Sequence, residues 1–455
     1  MSLLWDILIC KHPKLIEMRY NMNTKQEILD LIEKEDVEFI RLQFTDMCGS
    51  LKNVAVTASQ IEKVLDNKFV FDGSAVFGAY FSEEEDVYLS PDLDTFVILP
   101  WRPQQGKVAR LLCDVKKSDG HSFKVSPRTI LKKVIKEATK KGYSFKIDPE
   151  CEFFLFNTDE NGAPTTITYE QAGYMDVGPL DLGENARRDI VLNLEEMGFD
   201  VESSHHEKAP AQHEIDFREA GPLQIADSII TLKSAVRSTA TRFGLHATFM
   251  PKPKQGVEGS GMHLNLTVYK DGKNIFRAIE KDKELSNEAK WFMGGIMEHI
   301  SGICAITNPL VNSYKRLTSA MKAPKDVVWS KRNINSLIRV WKILGEDAKV
   351  ELRFPDPSAN PYLAIAICIA AGIEGIEKKI EPGVPAPNCY DEDVDIKKLP
   401  STLREAIIAL QEDSFIHKVL GKTFVDMYSE IKLNEWNEYM EQVSDWEIEK
   451  YLNRI

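Results

Sequence analysis

Acidic, basic and imidazole side chains stand at alternate positions in short apolar stretches of this chain. In SFKIDPECEFFLF, Glu150 and Glu152 are two residues apart, with Cys151, Phe153 and Leu155 between and beyond them. A strand repeats every two residues, so both carboxylates leave one face. In GSGMHLNLTV, His263, Asn265 and Thr267 share a face, and Met262, Leu264 and Leu266 share the other. In KVELRFPD, Glu351 and Arg353 alternate with Val350, Leu352 and Phe354, and HHEKAPAQHEIDF adds Glu207 and Glu214. Taken singly, a Glu-x-Glu is the pattern of a solvated face, and a lone strand histidine that of a satisfied core residue. Together these carboxylates and the histidine need another account. Like carboxylates in one cleft repel unless a cation intervenes. An oxygen-rich set with one imidazole suits Mg²⁺ or Mn²⁺ better than Zn²⁺. Two such ions beside arginines suit phosphoryl chemistry. The pattern predicts a curved sheet whose concave, polar face holds cations.

Composition narrows the partners. The chain has 455 residues, enough for a large core and two domains. Its formal net charge of −13 argues against nucleic acid or an anionic membrane as the main partner. Seven cysteines are dispersed without a C-x-x-C pair, the usage of a reduced, cytoplasmic protein. No apolar run approaches the roughly 20 residues of a membrane span. The start, MSLLWDILICKHPKLIEM, has an apolar patch broken by Asp6 and lacks the basic opening of a signal peptide. Residues 1–21 read as an extension or tail. Met22 opens an amphipathic helix with Asn23 or Thr24 as its cap.

The elements that position these residues follow from pattern. VEFIRLQFTDM and LKNVAVTA predict a hairpin turning at Cys48-Gly49-Ser50, and ASQIEKVLDNK a helix. DVYLSPDLDTFVILPW and KVARLLCDV predict further strands, which makes residues 22–122 a small strand-rich domain. The second domain, 123–455, opens with a helix capped by Ser126 with Pro127 at its first position. The charged strands then alternate with helices such as GENARRDIVLNLEEMGF and ADSIITLKSAVRSTATRFG. Strands and helices in this arrangement imply an α+β or α/β class. GVEGSGMH lacks both the P-loop ending and the dinucleotide fingerprint, and reads as a turn that delivers His263 to the polar face.

In order along the chain stand FDGS (Phe71–Ser74), PECEFFLF, DLGENARRD, HHE, QHEID, HATFMPKP, GSGMH, NPLVNSYKR and ELRFPDPSANPY. From about Met22 to the end, the sequence resembles the bacterial type I glutamine synthetase family. The resemblance implies an α+β fold: a small β-grasp-like N-terminal domain, then a catalytic domain with a curved antiparallel sheet and flanking helices. It implies a homo-oligomer of stacked hexameric rings with active sites between neighbouring subunits. The implied reaction uses ATP to phosphorylate the γ-carboxylate of glutamate, and ammonia then displaces phosphate. Carried over, Glu152, Glu207 and Glu214 would hold one divalent cation, and Glu150, His263 and Glu351 the other. Gly259, Arg316 and Arg353 would bind glutamate, and a bidentate arginine suits a carboxylate. Asp72 would bind ammonium in a neighbouring subunit's site. Arg339 would contact the ATP phosphates, and Glu202, His205 and Thr267 would make further nucleotide contacts.

The chain also departs from the family pattern. The flap that usually reads Pro-Gly-Tyr-Glu-Ala-Pro is Ser319-Ala320-Met321-Lys322-Ala323-Pro324, so Lys322 stands where the family has an anion. Asn-Arg-Ser becomes Asn333-Ile334-Asn335, and an arginine near the last metal ligand becomes Lys349. Glu219 replaces the adenine-stacking aromatic, Glu258 an asparagine, Ala75 a serine and Phe81 an arginine linked to feedback. These changes lie on the nucleotide and ammonium sides, whereas the metal and glutamate sides match. Three readings follow: a glutamine synthetase with an altered flap, a γ-glutamyl ligase for another amine, or a catalytically impaired paralogue with a regulatory or binding role.

Overall fold

The computed structural model describes residues 24–77, 85–102, 105–277, 285–319, 322–341, 348–386 and 396–455. The expectations for residues 1–21, Asn23, Phe81 and the flap residues Ala320 and Met321 lie outside that range. By contact, the described chain forms two compact units. The first holds residues up to 129 together with 154–219 and 223–248, and the second holds 130–153, 220–222 and 249–455.

In the first unit, Thr24 caps helix Lys25–Lys34 by accepting from the Glu27 amide, and the helix buries Ile28 and Ile32. Strands β1 (Val37–Thr45) and β2 (Leu51–Thr57) form the expected hairpin, with Phe44 opposite Lys52. ASQIEKVL is helical in two pieces, a 3₁₀ turn at Ala58–Gln60 and helix Ile61–Leu65. β3 (Phe69–Asp72), β4 (Asp86–Ile98) and β5 (Lys107–Lys117) complete a sheet in the order β2-β1-β5-β4-β3. Its middle pair, β1 and β5, is parallel. Leu42, Leu89, Leu111 and Val115 are fully buried, as alternation along these strands requires. Edge strand β3 is too short to show alternation in sequence and was not expected.

The same unit is tied internally by one buried cation. Arg128 donates from Nη1 to Asp114 Oδ1 at 2.8 Å, from Nη2 to Asp92 Oδ2 at 2.8 Å, and from Nε and Nη2 to Asp227 at 3.0 and 2.8 Å. Those carboxylates stand on β4, β5 and helix Pro222–Arg242. Beside it, Arg110 Nη2 donates to Thr231 Oγ1 on that helix at 3.0 Å. Helix Glu184–Glu196, the antiparallel pair β7 (Val201–His206) and β8 (Gln212–Phe217), and β9 (Leu245–Thr248) finish the unit.

β6 (Tyr143–Asn157) runs from the second unit into the first, following helix Pro127–Lys140. In the second unit it pairs antiparallel with β10 (Met262–Lys270), which also carries the short β11 (Lys273–Asn274). β10 pairs antiparallel with β14 (Lys349–Leu352), and β14 with β13 (Ile338–Trp341). β12 (Trp329–Ser330) is parallel to β13, so the sheet is mixed rather than wholly antiparallel. Two residues carry no alternation, so this pairing has no sequence signature. Helix Pro361–Lys378 is buried almost all round and packs on helix Asn287–Glu298. Small residues allow the approach: a Cβ on Gly295 would overlap the Ala371 carbonyl oxygen, and one on Gly375 the Trp291 carbonyl oxygen. No helix among the described residues is long and apolar enough to cross a membrane.

His299 joins helices Asn287–Glu298 and Ile300–Thr307. Its Nδ1 lies 2.7 Å from Asp413 Oδ2, its Nε2 lies 2.8 Å from Glu374 Oε2, and the ring stacks on Phe415 with centroids 4.3 Å apart. Both ring nitrogens face carboxylates, so both donate. Burial opposes the charged ring, but the bonds to Asp413 and Glu374 outweigh it and raise the His299 pKa. Burial also opposes the two charged carboxylates, and their bonds to His299 help bring both pKa values down.

Two predictions follow from these anchors. Arg128→Ala leaves three carboxylates without their shared cation and is expected to cost about 3–5 kcal/mol, read as a lowered urea midpoint. For His299 the folded pKa lies above the unfolded one. Its stabilisation is therefore complete below about pH 6.5 and is lost as pH rises through the folded value. The thermal midpoint gap between wild type and His299→Gln should be wider at pH 6 than at pH 9.

Candidate active site

Register brings the second unit's charged residues together. His263 on β10 lies opposite Glu150 on β6, while Glu351 on β14 lies opposite both Asn265 and Arg339. Ligand atoms of Glu150, His263 and Glu351 all fall within 4.8 Å of one another. His263 Nδ1 is 2.9 Å from Glu150 Oε2 and 3.8 Å from Glu351 Oε1, and Asn265 Nδ2 donates to Glu150 Oε1 at 2.9 Å. Glu351 is fully buried. Arg353 Nη1 donates to its Oε1, and Arg339 Nε lies 2.5 Å from its Oε2 without hydrogen-bond alignment. The two guanidinium groups thus compensate the buried carboxylate.

The electrostatics separate the roles. For Glu150, burial alone would raise the pKa, but the hydrogen bonds of His263 and Asn265, with the charge of Arg353, bring it down. For His263, burial and then Arg353 outweigh the two carboxylates, so its pKa falls below the ordinary value. Buried beside Arg353, His263 is neutral near pH 7, and Glu150 is held ionised chiefly by its hydrogen bonds to His263 and Asn265. A neutral imidazole beside two carboxylates is a fitting donor set for a hard divalent cation.

In the first unit, ligand atoms of His205, Glu207 and Glu214 also lie within 4.8 Å of one another. His205 is the cross-strand partner of Glu214, with Nε2 3.2 Å from Glu207 Oε1 and 4.0 Å from Glu214 Oε2. Burial opposes charge on Glu207, but the His205 hydrogen bond and Lys208 draw its pKa down. The resemblance grouped Glu207 and Glu214 with Glu152 as cation ligands and assigned His205 to nucleotide. Within this unit His205 lies beside Glu207 and Glu214. Glu152 belongs to the second unit, where its Oε2 accepts the Gly261 N–H at 3.0 Å.

The remaining expected residues are placed as follows. Arg316 is 4 % exposed and donates to the carbonyls of Phe354, Pro355 and Arg353 at 2.9, 3.3 and 3.1 Å. It therefore braces the chain leaving β14. Arg353 Nε donates to the Ile334 carbonyl at 2.7 Å, so Ile334 contributes through its backbone. Gly259 is confined by space: a Cβ there would overlap the Pro251 carbonyl oxygen and meet Lys252 and Arg316 side chains. Gly261 is likewise close to Arg316 and His263. Thr267 is buried on β10 and Glu202 is exposed on β7. Asp72 is exposed at the end of edge strand β3, where Ser74 donates to Oδ1 from N at 2.9 Å and from Oγ at 2.5 Å. That pair of donors lowers its pKa. Lys349 pairs with Asp148 at 3.2 Å.

Sequence reasoning missed a buried set in the first unit: Glu170, Asp181, His206 and His213, with Arg187. The doubled histidine in HHE and the histidine in QHEID were its only signal.

Residues 124–451 match the family model for the glutamine synthetase catalytic domain, and residues 36–118 match the model for its beta-Grasp domain. The chain belongs to the glutamine synthetase family. It is 50% identical over 439 residues to a glutamine synthetase of Clostridium saccharobutylicum, an alignment covering 95% of this chain and 99% of that one. It is 48% identical over 441 residues to those of Staphylococcus epidermidis and Staphylococcus aureus, covering 95% and 98%. Among solved structures, a GmaS/ADP complex superposes with a TM-score of 0.85 at 31% identity, covering 93% of this chain and 99% of that one. GmaS without ligand gives 0.83 at 32% identity, covering 94% and 99%. The fold class is therefore the α+β arrangement of this family: a β-grasp domain, then a catalytic domain with a large mixed sheet and helices. The family uses ATP and divalent cations.

The glycine contacts supply a test. Gly259→Ala forces the Pro251 backbone to move and is expected to cost about 1–3 kcal/mol by thermal unfolding. Gly221 has open space around its absent Cβ, so Gly221→Ala should stay within about 0.5 kcal/mol of wild type.

Proposed function

We propose that this chain is a cytoplasmic glutamate–ammonia ligase that makes glutamine at the expense of ATP. The observation that carries the reading is the pair of carboxylate–imidazole clusters in a chain 48–50% identical to glutamine synthetases over nearly their whole length. In this reading Glu150, His263 and Glu351 hold one Mg²⁺ or Mn²⁺, and Glu207 and Glu214 with Glu152 hold the other. His205 stands beside the latter pair and contacts nucleotide, as do Glu202, Thr267 and Arg339. When bound, the cations supply charge neutralisation for the phosphates.

The chain's own residues do the positioning. The second-unit cluster balances two carboxylates against Arg339 and Arg353 around a neutral imidazole. A cation entering it is therefore best accompanied by an anion, the role of the nucleotide phosphates. Arg353 and Arg316, with the Gly259 backbone, orient glutamate. One γ-carboxylate oxygen of glutamate takes the terminal phosphoryl group as ADP leaves. Ammonia nitrogen then bonds to the carbonyl carbon of the γ-carboxyl group, that carbon's bond to the phosphate oxygen breaks, and nitrogen gives up a proton. Asp72, held ionised by Ser74 at an exposed edge, suits capture of ammonium in a neighbouring subunit of a stacked-ring homo-oligomer. The domains in this reading are 22–122 and 123–455.

A second reading, a γ-glutamyl ligase for another amine, is favoured by Lys322. A cation in the flap repels ammonium, and a protonated lysine cannot take its proton.

The test is phosphate release from ATP with glutamate, with ammonia, small alkylamines or amino acids as acceptors. Loss of one transition-state partner commonly costs about 10²–10³ in rate. Wild type should therefore be slow with ammonia, and Lys322→Glu with Ile334→Arg should raise that rate. A wild type selective for another amine would replace ammonia in this proposal. No turnover with any acceptor, in wild type or double variant, would refute the ligase reading.

A further inference from the structure

Behind the β7–β8 hairpin, Glu170, Asp181, His206 and His213 lie with ligand atoms within 4.8 Å of one another, all buried. A guanidinium supplies positive charge there. Arg187 Nη1 already bridges Asp181 Oδ2 at 2.7 Å and His213 Nδ1 at 2.8 Å. The Cα of Gly183 packs so closely on His213 that a Cβ would overlap Nε2. Both oxygens of Glu170 are occupied. Oε1 accepts from His206 Nε2 at 2.7 Å and from the Ala211 amide, and Oε2 accepts from the Leu182 and Gly183 amides at 2.8 and 3.2 Å.

These bonds converge on one turn. His206 Nδ1 faces the carbonyl oxygens of Glu207 at 2.6 Å and Gly173 at 2.9 Å. Glu170 holds the far end of the turn at Ala211, whose φ of +68° is unfavourable for a residue with a Cβ. Between them, Gln212 Oε1 accepts the Ala209 amide at 3.1 Å, and the Glu207 amide donates to the Gln212 carbonyl at 2.7 Å. The two ends of the turn are thus fixed by one buried carboxylate–imidazole pair, and the residue at its start is Glu207.

We propose that Glu170 and His206 are positioning residues for the first-unit site: they fix turn 207–211 so that Glu207 converges with Glu214 and His205. The inference rests on the reading of Glu207 and Glu214 as cation ligands. Glu170 and His206 touch neither substrate nor cation and act through the backbone of Glu207 and Ala211.

The test titrates full-length protein with Mn²⁺ alone, reading free Mn²⁺ by electron paramagnetic resonance. Variants are Glu170→Gln, the milder Glu170→Asp, and His206→Phe, which keeps a ring. Glu207→Ala and Glu351→Ala identify the two classes of site. Tryptic cleavage after Lys208, inside the turn, is followed in parallel. Glu170 and His206 variants should weaken the class lost in Glu207→Ala by about 10–100-fold, the usual effect of a group that orients a ligand. They should leave the class lost in Glu351→Ala unchanged and speed cleavage after Lys208. Equal weakening of both classes with a fallen thermal midpoint would mean general destabilisation and would overturn the proposal, as would unchanged affinity and cleavage. Wild type without any class that Glu207→Ala removes would instead refute the cation reading. Cleavage after Lys208 then still decides whether the pair holds the turn: faster cleavage supports it and unchanged cleavage overturns it. Should Glu170→Gln fail to fold, the same readouts are taken from Glu170→Asp and His206→Phe.

Discussion

Buried carboxylates must be compensated, and this constraint organises the protein. Glu351 has no solvent exposure, yet shares its surroundings with Glu150. Isolated in an apolar interior, such a group would lose its charge rather than bear the desolvation. Here an imidazole and two guanidinium groups stand against it. The first unit meets the same constraint with His205 and Lys208 around Glu207, and again with Arg128 among three aspartates.

The sheet makes that compensation reproducible. A one-residue slip of β10 against β6 would send His263 to the opposite face and leave Glu150 without its partner. The apolar set Met262, Leu264, Leu266 and Val268 is fully buried and resists that slip. Hydrophobic alternation thus sets the distance between charged groups on the other face. Where alternation ends, other devices take over: the glycines at 259 and 261 give close backbone approach, and Arg316 ties the exit of β14 through three carbonyls.

This division explains what the sequence revealed. Glu150, His263 and Glu351 were legible because a period of two marks a face and their strands are adjacent. The family motifs added Gly259, Arg316 and Arg353, though nothing in one sequence shows Arg316 committed to backbone carbonyls. That His205 faces Glu214 depends on cross-strand register, which local pattern does not encode. The buried set around Glu170 was hidden for the same reason: residues 170, 181, 206 and 213 come from a loop, a turn and two strands. Strands β3 and β12 were too short to carry a period. The helices were legible from caps and apolar spacing, as at Thr24 and at Pro127, which opens helix Pro127–Lys140.

The glycine seam between helices Asn287–Glu298 and Pro361–Lys378 has a consequence for how this chain can change. At Gly294, Gly295 and Gly375 the space for a side chain is filled by main-chain atoms of the neighbouring segment, which no rotamer choice can clear. Elsewhere in the core a larger residue can be accommodated by repacking. Here accommodation requires moving a whole helix. In a library of random variants, these three positions should tolerate no side chain at all, while exposed helix faces nearby accept many. The seam therefore limits the chain's capacity to vary by backbone geometry, independently of any chemistry at the site.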